Sequence, residues 1–549
     1  MQLDKNLLVA ASESWQLPPD LYARGKDLGS YNATQFVLRL RGDVHRALAS
    51  LDPDARAFGD LLPQQIQAFS TYFHETLHWW QHVGSTLGLI LSLLSPAQAH
   101  YNKEYLDRIA RQAGTFKSLH RYNIATGIAH SANENEELIN VVLNNWHDAE
   151  FFRYLVCDPQ HAEQYLRSPY FDCQAHSFEI ALSSVLWLLS ATFDPHLQIL
   201  PDPRKWRAEF QRLRAERARG FYGGSPVHLP PIGARSLFEG QARFCQIQHL
   251  HAGSGNRITW GDLQQAGMLE GIYREAFDVF LAITGARWPG SPSDPTVGLF
   301  LLICDLAINP GDGFPFDLVH VPSVVESVDP GLRFLMLCQS VANSHSGLLG
   351  AITEYSKTEY LEVGATLCKA LVCEPPAVTG TTVVRWCREH SGARQLLEED
   401  ESFAFAAGNL PVRVLFSRFL RFQMDKLEAP QFFCWPGVWS VDRPGSWTVE
   451  DSRVLFQRHE ALFQDGPNGV VYPRRIPGKD EATLSRTFNQ FYASLATYEL
   501  ARQWVMEDGA FDFDFSWLTT EYPRGQVQEW AIHYFQQIYG VNPKAFRIL

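Results

Sequence analysis

Along most of this 549-residue chain, apolar residues return at every third or fourth position, a period that admits little besides α-helix. It predicts helices over 63–83, 86–95, 102–116, 134–156, 176–192, 205–218, 235–250, 262–284, 332–351, 358–372, 395–407, 452–463 and 480–506. Alternating, strand-like patterns are few and short, with Gln35–Leu40 and Val412–Phe416 the clearest. The expected class is therefore mainly α with a minor sheet. The length predicts roughly two to four domains. Pro and Gly cluster at 220–234, 287–297, 308–315 and 373–382, and the last of these is the expected main boundary. The expected division is an N-terminal segment with a small sheet (1–60), a helical region (61–375) and a C-terminal region rich in Phe and Trp (376–549).

Composition narrows the function classes. Hydrophobic residues at 46% against 19% charged exclude a disordered chain. A net charge of -13 with no long basic run speaks against nucleic acid, whose phosphates an acidic surface repels. The nine cysteines are scattered and form no Cys-x-x-Cys pair. Their odd number and low density predict reduced, mostly buried thiols in a cytoplasmic protein, not a thiolate zinc cluster. Residues 1–20 lack the basic and apolar regions of a signal peptide. The longest apolar stretch, 83–94, is too short to cross a bilayer, so no membrane span is expected. There is no Gly-x-Ser-x-Gly and no Walker loop, which removes serine-hydrolase and ATP-driven chemistry from consideration.

Within the first strong helix stands His74-Glu75-Thr76-Leu77-His78. Two histidines at i and i+4 share one helix face and can hold one metal ion without straining the backbone. Glu75 lies about 100° round the helix from His74, so it can act as a base without displacing a ligand. Zinc in such a site lowers the pKa of a water toward neutrality and polarises a carbonyl. Ile66, Phe69, Phe73, Leu77 and Trp80 fall on one side of this helix; Gln67, Thr71, His74, Glu75, His78 and His82 fall on the other. Pro63 marks a start and Gly84 a stop. The plain alternative is a surface helix whose solvent-exposed polar face happens to carry histidines. His82 continues the stripe and is expected to sit in the last helical turn, where a partly charged imidazole suits the negative helix end.

A catalytic zinc site needs a third protein ligand and one open position. The compact His-Glu-x-x-His-x-x-Gly-x-x-His pattern is not met, because Gln81 and Gly84 stand where Gly and His would. Two distant sources remain: Glu239 in Ser236-Leu237-Phe238-Glu239-Gly240-Gln241-Ala242, and the helix carrying His147, Asp148 and Glu150. Each has another job to hand. Ser236 with Glu239, and Ser131 with Glu134, both fit a capping box.

His-Glu-x-x-His followed by a helix opening on Glu-Gly-x-Ala resembles the gluzincin metallopeptidases of the peptidase MA-like branch. The resemblance covers about 65–84 and 233–250. It implies a multi-helical zincin-like core with added helical regions. It also implies zinc bound by His74, His78 and Glu239, with Glu75 as general base in the hydrolysis of a peptide bond. The small residues of Glu-Gly-x-Ala would let the second helix approach the first. The separation of 161 positions from His78 to Glu239 exceeds the usual family gap. Arg243 stands where some members carry an Asp that supports a zinc-bound histidine, so that support is unassigned here. His249, His251, Tyr273 and Tyr355 are the candidates for holding a developing oxyanion.

The competing classes are a non-enzymatic helical scaffold, which would carry no stoichiometric zinc, and a di-iron carboxylate bundle. The second needs another Glu-x-x-His, and the sequence contains none. The large portion outside the motif predicts a selective protein or peptide substrate, or a regulatory protein partner. A shared zinc would place the three ligating atoms roughly 3–4 Å from one another. A capping Glu239 would instead bond back to Ser236.

Overall fold

The computed structural model describes residues 3, 29–50, 63–126, 134–440 and 449–549. The stretch 1–20 and the Ser131 cap lie outside these residues. The fold is mainly α, as the periodicity predicts, with small sheets at its edge.

Among the described residues there are six short strands: β1 (Gly29–Asn32), β2 (Val37–Leu40), β3 (Phe116–Lys117), β4 (Phe463–Asp465), β5 (Val471–Pro473) and β6 (Arg547–Ile548). β1 and β2 form a hairpin, and β2 pairs in parallel with β4, which pairs antiparallel with β5. β3 pairs in parallel with β6. The strand expected at 35–40 is thus present, but its partner comes from beyond residue 460. Asp465 locks the junction, accepting the Leu40 amide at 3.0 Å and facing His45 Nε2 at 2.9 Å.

The motif helix, Pro63–Trp79, runs into a π-helical turn, Trp80–Gly84. Ser85 then caps the next helix, Thr86–Tyr101, by accepting the Gly88 amide at 2.9 Å. The motif helix packs on Ala234–Gly253, which in turn packs on Ile272–Thr284 and Pro295–Ile308. The predicted 262–284 helix divides at Gly267 and Gly271, both in left-handed backbone that glycine adopts freely.

Two expectations fail for identifiable reasons. Val412–Phe416 is not a strand; it lies inside the helix Leu410–Glu428. Its Val-x-Val-x-Phe alternation mimics a strand, but Pro411 in the first turn and burial of every residue of the segment except Arg413 belong to a core helix. The 373–382 break separates no domains. Pro376 starts another helix, Pro376–Glu389, and one apolar core runs from residues 31–40 through both the 61–375 and 376–549 regions. Trp435 donates to the Gly298 carbonyl at 2.9 Å, and Lys426 pairs with Asp305 at 2.6 Å, across that supposed boundary. A second cluster joins residues 99–146 with 496–546.

One helix, Gln174–Phe193, is long and apolar enough to cross a membrane by length and composition. Here it is a core element, packed against Thr86–Tyr101 and Glu134–Cys157.

Candidate metal centre

The polar side of the motif helix is not a solvent face. Gln67, Thr71, His74, Glu75 and His78 are all buried, His74 to 5% and His78 to 8% exposure, because Ala234–Gly253 lies across them. The opposite side is held by the C-terminal region: Trp80 donates to the His459 carbonyl at 2.8 Å, and Tyr72 donates to Glu460 at 2.8 Å. Burial of both sides removes the surface-helix alternative. A buried row of ionisable groups requires partners.

Those partners are one another. His74 Nε2 and His78 Nε2 stand 3.1 Å apart, and Glu239 Oε2 lies 3.5 Å from the first and 3.4 Å from the second. Glu239 is therefore not a cap. The helix begins at Ala234 after Gly233, and Ser236 donates instead to Glu275 at 2.6 Å. A Cβ at Gly240 would make only ordinary contacts, with Ala276 at 3.4 Å and Phe300 at 3.5 Å, and its nearest neighbours do not include the motif helix.

Two imidazole nitrogens and one carboxylate oxygen fit zinc as a donor set. Their separations match the edge of a tetrahedron whose metal–ligand distances are roughly 2.0–2.2 Å. His78 Nδ1 faces Gln81 Oε1 at 2.8 Å, which directs the His78 Nε2 lone pair to the cluster. Gln81 is itself fixed by donating to the Phe238 carbonyl and to Gln241 Oε1, both at 2.9 Å. His74 Nδ1 is buried with no hydrogen-bond partner among the described residues.

The electrostatics follow from burial and proximity. Burial drives the His74 imidazole down to about 3, against the hydrogen bond that Glu239 accepts from it. Burial pushes the same way on His78, but the charge and hydrogen bond of Glu239, with the charge of Glu75, outweigh it and raise His78. Burial would raise Glu239; the two histidines hold it well below the usual carboxylate range instead. Glu75 thus acts on the cluster through space.

Of the four oxyanion candidates, only Tyr273 is at the site. Its ring lies 6.0 Å from that of His74, with the Arg243 guanidinium 3.9 Å from the Tyr273 ring centroid. Burial, with the Glu239 and Glu75 charges, lifts its hydroxyl to about 12 against the opposing charge of Arg243, so it remains a donor at neutral pH. His249 faces Ser440 at 2.7 Å, His251 the Ile258 carbonyl at 2.7 Å, and Tyr355 donates to the Asp294 carbonyl at 3.0 Å. The rival third-ligand helix is engaged elsewhere: Asp148 accepts from Ser177 at 2.8 Å, His147 stacks on Tyr170 and Glu150 pairs with Arg153. His82 is in the last turn, as expected, but is not charged there. It packs on Tyr31 and Phe238, and burial lowers it to about 3. Among the described residues His74, His78 and Glu239 are the only group of three or more side chains placed to hold a metal ion.

No protein family, curated protein or solved structure was found that matches the chain.

Proposed function

We propose that this protein is a zinc-dependent hydrolase of gluzincin type that cleaves a peptide bond in a protein or peptide substrate. The observation that carries the reading is the convergence of His74, His78 and Glu239, from helices about 160 residues apart in sequence, to within 3.5 Å of one another. Three protein donors leave a fourth position open, which suits a catalytic rather than a structural site.

Bound zinc would supply Lewis-acid polarisation of the substrate carbonyl. The chain's own residues would do the rest. Glu75, one residue from His74 and on the cluster's side of the helix, would take a proton from the attacking water and return it to the leaving amine. The Tyr273 hydroxyl would donate to the oxygen that gains charge. Gln81 would hold His78 in the ligating tautomer. The ligand side chains are at most 12% exposed, so substrate entry requires the covering elements to move.

The test combines metal analysis of the purified full chain with mass-spectrometric readout of a peptide library incubated with it. Wild type should carry one zinc per chain. Glu75→Gln should retain it while hydrolysis falls by about 10²–10⁴-fold. His74→Ala should lose the metal. Absence of zinc from wild type, or cleavage by Glu75→Gln at the wild-type rate, overturns the reading. A Glu239→Ala variant with undiminished zinc affinity removes Glu239 from the ligand set.

A further inference from the structure

Far from the metal centre in sequence, the helix Lys357–Ala370 ends in a way that sets two cysteines against each other. The Cys373 amide donates to the Cys368 carbonyl at 3.0 Å, the Val372 amide donates to the Lys369 carbonyl at 3.2 Å, and Val372 is left-handed at φ 54. This is a Schellman ending, whose backbone brings the side chains at its third-from-last helical position and its second residue beyond the helix into contact. In most proteins that contact is apolar. Here both positions are cysteine, and Cys373 Sγ also lies 3.6 Å from the Cys368 carbonyl.

The pair sits on a buried cation. Arg333 is 2% exposed and directs its guanidinium at the carbonyls of Leu306 (2.9 Å), Ser327 (3.2 Å) and Ala307 (3.3 Å). Its Nη2 is also 4.0 Å from Cys373 Sγ. Among the described residues no carboxylate pairs with it, so this sulfur is the nearest group that can supply a negative charge. The hydrogen bond with the Cys368 thiol, joined by the charge and hydrogen bond of Arg333, lowers the Cys373 thiol to about 6 against burial and the charge of Asp312. Cys368 is raised by the same contact. Cys373 is half-buried beside Val372, which is 94% exposed. The other half-buried cysteine, Cys157, is pushed the opposite way by burial, to about 12.

We propose that Cys373 and Cys368 form a thiol pair that a hydroperoxide oxidises to an intramolecular disulfide. The Cys373 thiolate attacks one peroxide oxygen; the S–O bond forms, the O–O bond breaks, and the other oxygen leaves as hydroxide (or alkoxide), which takes up a proton. Cys368, losing its proton, attacks the sulfenic sulfur; the S–S bond forms and the S–O oxygen leaves as water. Two thiols are oxidised and one peroxide is reduced. Arg333 stabilises the attacking thiolate. The assignment does not depend on the metal centre.

The full-length protein should be alkylated with iodoacetamide across a pH series and mapped by peptide mass. Cys373 is expected to label first among the nine cysteines, with its rate inflecting near pH 6. An inflection at the ordinary thiol value of about 8.5, or no labelling, overturns the thiolate. Treatment with hydrogen peroxide should remove two hydrogens from the peptide containing both cysteines. Cys368→Ser should instead accumulate a dimedone-reactive sulfenic acid at Cys373, and Cys373→Ser should show neither product. A dimedone adduct in wild type without the disulfide, or a disulfide between other cysteines, overturns the pair. The wild-type profile decides the matter if a variant does not fold.

Discussion

Asp329 starts the helix Pro330–Ser344, accepting the Leu332 amide at 2.9 Å, but its other oxygen is buried with no hydrogen-bond partner among the described residues. Burial raises its carboxyl to about 7. An unfolded chain releases that proton near 3.9. Between the two values the folded protein holds a proton that the unfolded one has lost, so stability falls as pH rises through this window. The loss is at most about 1.4 kcal/mol for each pKa unit of difference. Asp329→Asn keeps the cap acceptor and cannot ionise. It is expected to match wild type in acid and to exceed it above neutrality, as denaturant titrations at the two pH values would show. At this same scale the site was half legible in sequence. His74, Glu75, His78 and Glu239 could be named because metal chemistry dictates residue types and a helix dictates spacing. Tyr273 could only be named among four, since its place depends on how a third helix packs. Gln81 was visible only as a departure from another motif, although it stands three residues from His78 on the same helical side.

The π-helical turn Trp80–Gly84 joins the motif helix to the one that follows. It leaves no room at Gly88, where an added Cβ would lie 1.9 Å from the Gln81 carbonyl oxygen. That neighbour is backbone, and it belongs to the residue that orients His78. Gly88→Ala is expected to destabilise the fold by about 1–3 kcal/mol. It should also weaken zinc binding, measured by competition with a chelator, because relief of the clash displaces Gln81. The helices expected over 63–83, 134–156 and 480–506 are present within a few residues of those bounds. Among the core helices, those over 86–95 and 176–192 are expected from the sequence and Pro295–Ile308 is not. Pro295–Ile308 is buried from Val297 to Ile308, so no polar face marks its period, and the flanking prolines and glycines suggested only loops. Leu410–Glu428 was misread for the related reason that its first residues alternate like a strand.

As a whole the molecule does not divide where its proline-rich break suggested. A fragment ending at residue 375 would lose Lys426 and strand the buried Asp305 carboxylate, which Lys426 and Tyr360 hold at 2.6 and 2.8 Å. It would also uncover the core faces that Phe416, Phe419 and Trp435 fill. Expressed alone, such a fragment is expected to lack the near-ultraviolet dichroism of fixed aromatic packing, whereas the full chain should retain it. Domain limits were illegible because a cluster of Pro and Gly marks a turn whether or not two cores lie on either side of it. The pairing of β2 with β4 adds an ordering in time. During synthesis, residues 37–40 leave the ribosome more than 400 residues before Phe463 and Gln464 can join them. Until then the motif helix also lacks its hydrogen bonds to His459 and Glu460. A nascent chain therefore carries His74 and His78 long before the surroundings that hold their helix exist, and the cluster acquires those surroundings only after residues 459 and 460 have been made.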